Sequence, residues 1–299
     1  MDQTSGMSMS DNKSVNELQQ AVLKTESLPT ISVIGQRLLT IRLDTEEGER
    51  ELLRLVESDP MIAARLIGLA NAPIYATSRK VVSMRDAVMV LGLSRVKAIA
   101  TGIALMGPLR IRESKQFSVR DLWLHSFSMA VGMRTLSGMI PRQIRPPEDS
   151  LFLSGLLHDI GYLAFAYLAP EKFDEFLTRM ESEPERPIGQ LEREVLGISH
   201  AELGALLGRN WGLPEEILAV ISGHHAKEPT ENPMLALARV TERILGDSAI
   251  REDVHTLTTE QEAEELASLG LDEAHLDKAT DILGRQQEQI RILADMLGS

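Results

Sequence analysis

Five histidines and one aspartate fall at intervals that could gather a metal ion: His125, the adjacent pair His158-Asp159, His200, and the double His224-His225. Most lie inside apolar helical stretches, where an imidazole without a partner is costly to bury. Neutral imidazole plus carboxylate is the usual ligand set for Zn, Fe, Mn or Ni, and a metal ligand must be deprotonated at working pH, which suits both groups. Neighbouring residues on a helix point about 100° apart. His158-Asp159 can therefore give one ion an imidazole and bridge to a second through the carboxylate. His125, His200 and His224-His225 would complete the shell from neighbouring helices. Water beside two such ions becomes a nucleophile at neutral pH, suited to phosphoester hydrolysis.

Each histidine taken alone has a plainer reading. His125 could be a satisfied core histidine, and His200 an exposed first-turn residue. His224-His225 could be a polar helix end, where imidazolium favours the C-terminal dipole. His158-Asp159 is harder to set aside, because a buried carboxylate needs a partner. His255 and His275 lie in an acidic C-terminal part and are given no role.

The elements that must position these residues read as helices throughout. Val33, Leu38, Leu39 and Ile41 recur at helical spacing, and Glu46 to Glu57 sets leucines on one face and acids on the other. Asp59-Pro60 opens the next helix with proline at its first position. Ser83 to Asp86 reads as a capping-box variant, with Gly92 as the break before another apolar helix through Val96 to Leu105. Leu122, His125, Met129 and Met133 stand three or four apart, which puts His125 on a buried face. Leu151 to Ala166 is apolar nearly all round and predicts one central helix with His158-Asp159 in its middle. Ser199-His200-Ala201-Glu202 is a capping box, placing His200 in a first turn. Pro214-Glu215-Glu216 starts a helix that runs into Gly223-His224-His225, and Leu235 to Leu245 forms a further one. One or two amphipathic helices follow residue 250. No β-run is convincing, so the fold class is all-α.

Composition narrows the functions. The chain has 299 residues, a net charge of -13 and no cysteine. The acidic balance argues against binding nucleic acid by phosphate neutralisation, and Arg142, Arg145 and the Arg110 to Arg112 segment read as solvated loops. Disulfides, thiolate metal sites and cysteine nucleophiles are excluded. The N-terminus has no hydrophobic signal core, and the longest apolar run, Ala98 to Leu109, is too short to span a bilayer. A cytoplasmic protein without membrane insertion is the expectation.

Leu156-Leu157-His158-Asp159-Ile160-Gly161 resembles the signature of the HD superfamily of metal-dependent phosphohydrolases, and the order of the histidines is similar to that of its HD-GYP branch, which degrades cyclic di-GMP. A narrower resemblance, to the HDOD domain (HD-related output domain) of bacterial signalling proteins, rests on the N-terminal half. It is carried by Leu28-Pro29, Glu57-Ser58-Asp59-Pro60, Arg65 to Asn71 and Ala87 to Leu93. It covers roughly residues 25 to 245. It implies an N-terminal helical bundle packed on an HD-like multi-helical domain. The expected division is a disordered or partly helical tail (1–24), an N-terminal lobe (25–112), an HD-like lobe (113–250) and an acidic helical extension (251–299). It implies a role in signalling, with many HDOD domains acting as interaction modules that have lost catalysis.

The chain departs from both patterns. It keeps an unusually full ligand set for an HDOD module. It lacks the late aspartate of an active HD enzyme, the only carboxylate on that helix being Glu242, and it lacks the glycine-tyrosine-proline motif after His225. The reading adopted is a signal-transduction output module with a largely retained site for one or two divalent ions (Fe, Mn or Zn) at His125, His158, Asp159, His200, His224 and His225. Its expected partners are signalling proteins: a sensor kinase, a response regulator or a cyclic-dinucleotide enzyme. No receiver, GGDEF or DNA-binding segment is visible, so input would come from a protein or a ligand. The alternative is a metal-dependent phosphohydrolase acting on a nucleotide or cyclic dinucleotide, with Asp159 catalytic. A His/carboxylate diiron sensor of redox state or gas is a third idea. The C-terminal helix could pack on its own domain or on a second copy, as a homodimer.

Overall fold

The computed structural model describes residues 29–75, 77, 79–109, 111, 116–246 and 258–298. The expected tail, Arg110, Arg112 and His255 lie outside them. Fifteen α-helices and no strand occur among the described residues.

The first five helices are α1 (Val33–Thr40), α2 (Glu46–Ser58), α3 (Pro60–Ala70), α4 (Met84–Leu91) and α5 (Leu93–Met106). Their starts follow the capping logic of the sequence. The side chains of Ser32, Thr45, Asp59 and Ser83 each accept from backbone N–H groups of a first turn, satisfying donors that a helix leaves unpaired. Gly92 separates α4 from α5 with φ 86°, a left-handed value that favours glycine. Asn71 braces the end of α3 by bonding both the N–H and the C=O of Val81 through its amide.

Helix α6 (Val119–Ser137) is the spine of the second half. It is followed by α7 (Glu148–Leu157), α8 (Ile160–Leu168), α9 (Pro170–Ser182), α10 (Ile188–Val195), α11 (His200–Asn210), α12 (Glu215–Gly223) and α13 (Pro233–Leu245). The expected single helix over Leu151 to Ala166 is two, broken by a turn at His158-Asp159, where Asp159 takes φ -101° and ψ 17°. The break frees the pair to face inward together. The stretch Glu148–Leu168 is also long and apolar enough to cross a membrane, but 89% of its apolar window is buried against other helices, so it is a core element here. Helix α9 is an addition to the helices expected from the sequence, where only Ala169-Pro170 announces it.

Two helices close the chain, α14 (Thr259–Leu269) and α15 (Glu273–Gly298). The second lies along α6 and reaches α3 and α13. One hydrophobic core runs from Leu38 in α1 to Ile221 in α12 and takes in Leu283 and Ile290 of α15. A second, built on Met129, Met133, Leu237, Leu266 and Leu276, ties α6 to α13, α14 and α15. Arg239 of α13 pins this region. It pairs with buried Glu265 at 2.6 Å and donates to the carbonyl of Gly223, next to His224.

Candidate metal centre

All six residues singled out from the sequence converge, and Glu242 joins them. Their ligand atoms form two groups, each spanning no more than 4.8 Å: Asp159, His200, His224 and His225 in one, His125, His158 and Glu242 in the other. Each arrives from a different place in the fold. His125 is mid-α6, His158-Asp159 occupies the turn between α7 and α8, His200 is the first residue of α11, His224 caps α12, and Glu242 is in the last turns of α13.

Close backbone approach makes this convergence possible. A Cβ at Gly161 would lie 1.9 Å from the carbonyl oxygen of His200, so the glycine lets α8 touch the start of α11. A Cβ at Gly155 would lie 2.6 Å from the backbone of Ala130, so α7 sits directly on α6 and brings His158 beside His125.

The hydrogen bonds fix the tautomers. The Nδ1 atom of His158 lies 2.9 Å from the carbonyl of Gly155, and that of His224 lies 3.0 Å from the carbonyl of Ile221. A carbonyl only accepts, so both Nδ1 atoms carry hydrogen and donate. His200 donates from Nδ1 to Glu192 at 2.6 Å. In their neutral forms all three rings therefore aim Nε2 lone pairs at the centre. The Nε2 atoms of His125 and His158 are 2.9 Å apart, and those of His200 and His224 are 3.1 Å apart. Lone pairs that close repel unless a proton or a cation sits among them.

The carboxylates complete the picture. Asp159 divides its oxygens between the groups. Oδ2 is 3.2 Å from His158 and 3.5 Å from His125, while Oδ1 is 3.4 Å from His224 and 3.5 Å from His200. Glu242 is 3% exposed, and among the described residues neither of its oxygens has a hydrogen-bond partner. They stand 3.3 Å from His125 and 3.6 Å from His158. A buried, ionised carboxylate without compensation costs several kcal/mol, and a cation is the natural compensation. The donor set of imidazole and carboxylate fits a divalent ion of the first transition row.

Protonation of the metal-free site follows its charges. Burial works against a charged His158, but the adjoining Asp159 carboxylate and Glu242 outweigh it and raise this imidazole to about 9. Burial likewise resists charge on Asp159, yet His158, His224 and His200 hold its carboxyl well below the usual range. Burial lowers His125, His224 and His225, helped by neighbouring imidazoles. His200 is raised, its burial being overcome by Glu192.

Two neighbours escaped the sequence reading. Glu192, fully buried, accepts from both the ring and the backbone N–H of His200. Tyr162 stacks on the same ring at 4.1 Å between centroids. Glu192 sits in an apolar-faced helix as one more acid among several, and only its buried phase could have marked it. Of the remaining candidates, His275 is bound to Asp272 at the start of α15, and Arg145 donates to the carbonyls of Gly138 and Ile140 as a loop brace.

Comparison with known proteins agrees with the fold and the motifs. The HDOD domain family matches residues 28–227, two thirds of the chain. The chain belongs to the HDOD family. The fold is similar to that of a protein from Marinobacter aquaeolei VT8, named for signal transduction. It superimposes with a TM-score of 0.80 at 26% identity, over 97% of this chain and 67% of that one. An HDOD domain protein of unknown function from Geobacter sulfurreducens gives a TM-score of 0.73 at 23% identity, over 96% and 98% of the two chains. An uncharacterised protein of Treponema pallidum is 25% identical over 206 residues. That alignment covers 67% of this HDOD chain, and the chain spans 38% of the length of that relative.

Proposed function

We propose that this chain is a cytoplasmic HDOD signalling module that holds one or two divalent ions and passes the state of that centre to a protein partner. The observation that carries the reading is Glu242, a buried carboxylate whose two oxygens find no hydrogen-bond partner among the described residues and face the Nε2 side of His125 and His158. It stands where the sequence lacked an aspartate. His125, His158 and Glu242 would hold one ion, His200, His224 and His225 the other, with Asp159 between them; Fe, Mn and Zn all suit the set. The ligands come from α6, the α7–α8 turn, α11, α12 and α13, so occupancy would bear on the relative placement of five elements. A sensor kinase, a response regulator or a cyclic-dinucleotide enzyme is the proposed kind of partner.

A hydrolase is the second reading, favoured by one observation. A cavity of about 400 Å³ between α6, α13 and α15 is lined by His125 together with Ser128, Thr280, Gln287 and Arg291. Bound ions would lower the pKa of water and polarise a phosphoryl oxygen. The two readings separate in a phosphodiesterase assay of the metal-loaded protein on cyclic di-GMP and on a generic phosphodiester, with Asp159→Ala as blank. The module reading expects no rate above the blank. Turnover that requires both Asp159 and added metal would replace it with the hydrolase.

Two outcomes follow from the ligand set. Glu192→Ala leaves the His200 ring without its Nδ1 acceptor, and partners of that kind are worth roughly 10–100-fold in metal affinity. Competition with a fluorescent chelator reads the loss directly. Affinity should also rise with pH. Metal-free His158 keeps its proton up to about pH 9, and an ion must displace that proton to reach Nε2. Affinity therefore climbs by up to about tenfold per pH unit from neutrality and levels near pH 9. A flat profile between pH 7 and 9 would contradict this.

A further inference from the structure

A second cavity, away from the histidine cluster, has the character of an anion site. It occupies about 230 Å³ between α3, the turn at Pro73–Tyr75, α5, α6, α7 and α15. Its polar lining is Arg95, Arg134, Tyr75 and Gln286, over an apolar floor that includes Phe127 and Phe152. The two phenylalanines meet edge to face at 6.2 Å.

The charges here are poorly balanced. Among the described residues, the acid paired with Arg95 is half-exposed Glu148, 3.6 Å away. The Arg134 guanidinium makes no hydrogen bond or ion pair with any described residue, although it is partly buried. Burial first and then the charge of Arg95 lower its pKa, against smaller opposing effects of Glu148 and Tyr75. Two like charges lining one cavity, with one half-exposed carboxylate at Arg95 and none paired to Arg134, are costly as they stand and become favourable when an anion lies between them. Guanidinium forks match the planar or tetrahedral oxygens of carboxylate and phosphoryl groups.

We infer that this cavity binds a small organic anion, with a phosphoryl or carboxylate head held by Arg95 and Arg134 and an aromatic or apolar body on Phe127 and Phe152. The volume suits a ligand of about one ring and lies below the roughly 300–1,000 Å³ of larger ligand pockets. Gln286 and Ile290 come from α15, beyond the residues that match the family. Ile290 also lines the cavity that reaches His125. A ligand here would therefore bear on the helix that walls the metal-proximal space.

Calorimetric titration with phenylphosphonate and with benzoate, in phosphate-free buffer, tests this and tells the two head groups apart. Benzyl alcohol serves as the neutral control. The expected result is saturable binding of at least one anion, weakened roughly tenfold or more in both Arg95→Gln and Arg134→Gln, and no binding of the alcohol. Circular dichroism confirms that both variants are folded. The Arg variants leave the histidine cluster intact, so anion binding at bound metal would survive them. Binding that survives both, an alcohol that binds as well as the anions, or no binding of either anion would overturn the inference.

Discussion

Gly161→Ala should cost the protein about 3 kcal/mol or more, at the upper end for an added methyl in a packed interior. The new Cβ would sit 1.9 Å from the carbonyl oxygen and 2.6 Å from the carbonyl carbon of His200. Those are backbone atoms, so no side-chain rotation relieves the clash. Helix α8 must move away from the start of α11, and His200 moves with it. For a chain of this size the melting temperature should fall by on the order of 6–10 °C, and the His200 group should lose its metal. Gly189→Ala is the matched control, since a Cβ there meets nothing within 4 Å. Thermal unfolding of the two variants side by side checks the contrast. Equal melting temperatures would mean that α8 and α11 do not approach as described.

Asp159→Asn should abolish metal binding at both groups while the fold survives. The substitution keeps the side-chain shape and removes the charge that lies between four imidazoles. Oδ1 faces His200 and His224, and Oδ2 faces His125 and His158, so one change reaches both groups. An affinity loss of more than about 100-fold is expected, exceeding the effect of removing a supporting partner such as Glu192. A second readout does not depend on metal. Asp159 is the main charge that offsets burial at His158, so in the metal-free variant the His158 imidazole should titrate well below its raised value. NMR titration of the ring protons follows this. Full metal content in Asp159→Asn, or a His158 that still titrates near 9, would contradict the assignment.

The all-helical fold was legible because periodicity and caps speak locally. Asp59-Pro60, Ser83 and the Ser199 box each announce a helix start with their own side chain, and each start is where they put it. The convergence of the histidines was legible as an inference from residue type, since apolar helices do not carry imidazoles without cause. The turn at His158-Asp159 was not. Apolar residues flank His158-Asp159 on both sides from Leu151 to Ala166, and nothing in that pattern registers a local change of backbone direction. Helix α9 escaped because its single proline signal lay between two stronger segments. Glu242 could be named only as the carboxylate that remained where an aspartate was expected. Its burial without a hydrogen-bond partner depends on how α13 is rotated against α6, which is set by tertiary contacts such as Arg239 with Glu265 and with the carbonyl of Gly223. Glu192 and the anion-site arginines belong to the same class, because their meaning comes from partners distant in the chain.

We propose that this HDOD chain holds metal through its buried histidines and acids. Elemental analysis of the untagged protein, beside His158→Ala and Glu242→Gln, tests it most directly. The parent protein should carry one or two equivalents of Fe, Mn or Zn, with a clear loss in both variants and an unchanged helical spectrum. No metal in the parent protein after growth and purification with these ions supplied, or the same content in all three, would contradict it.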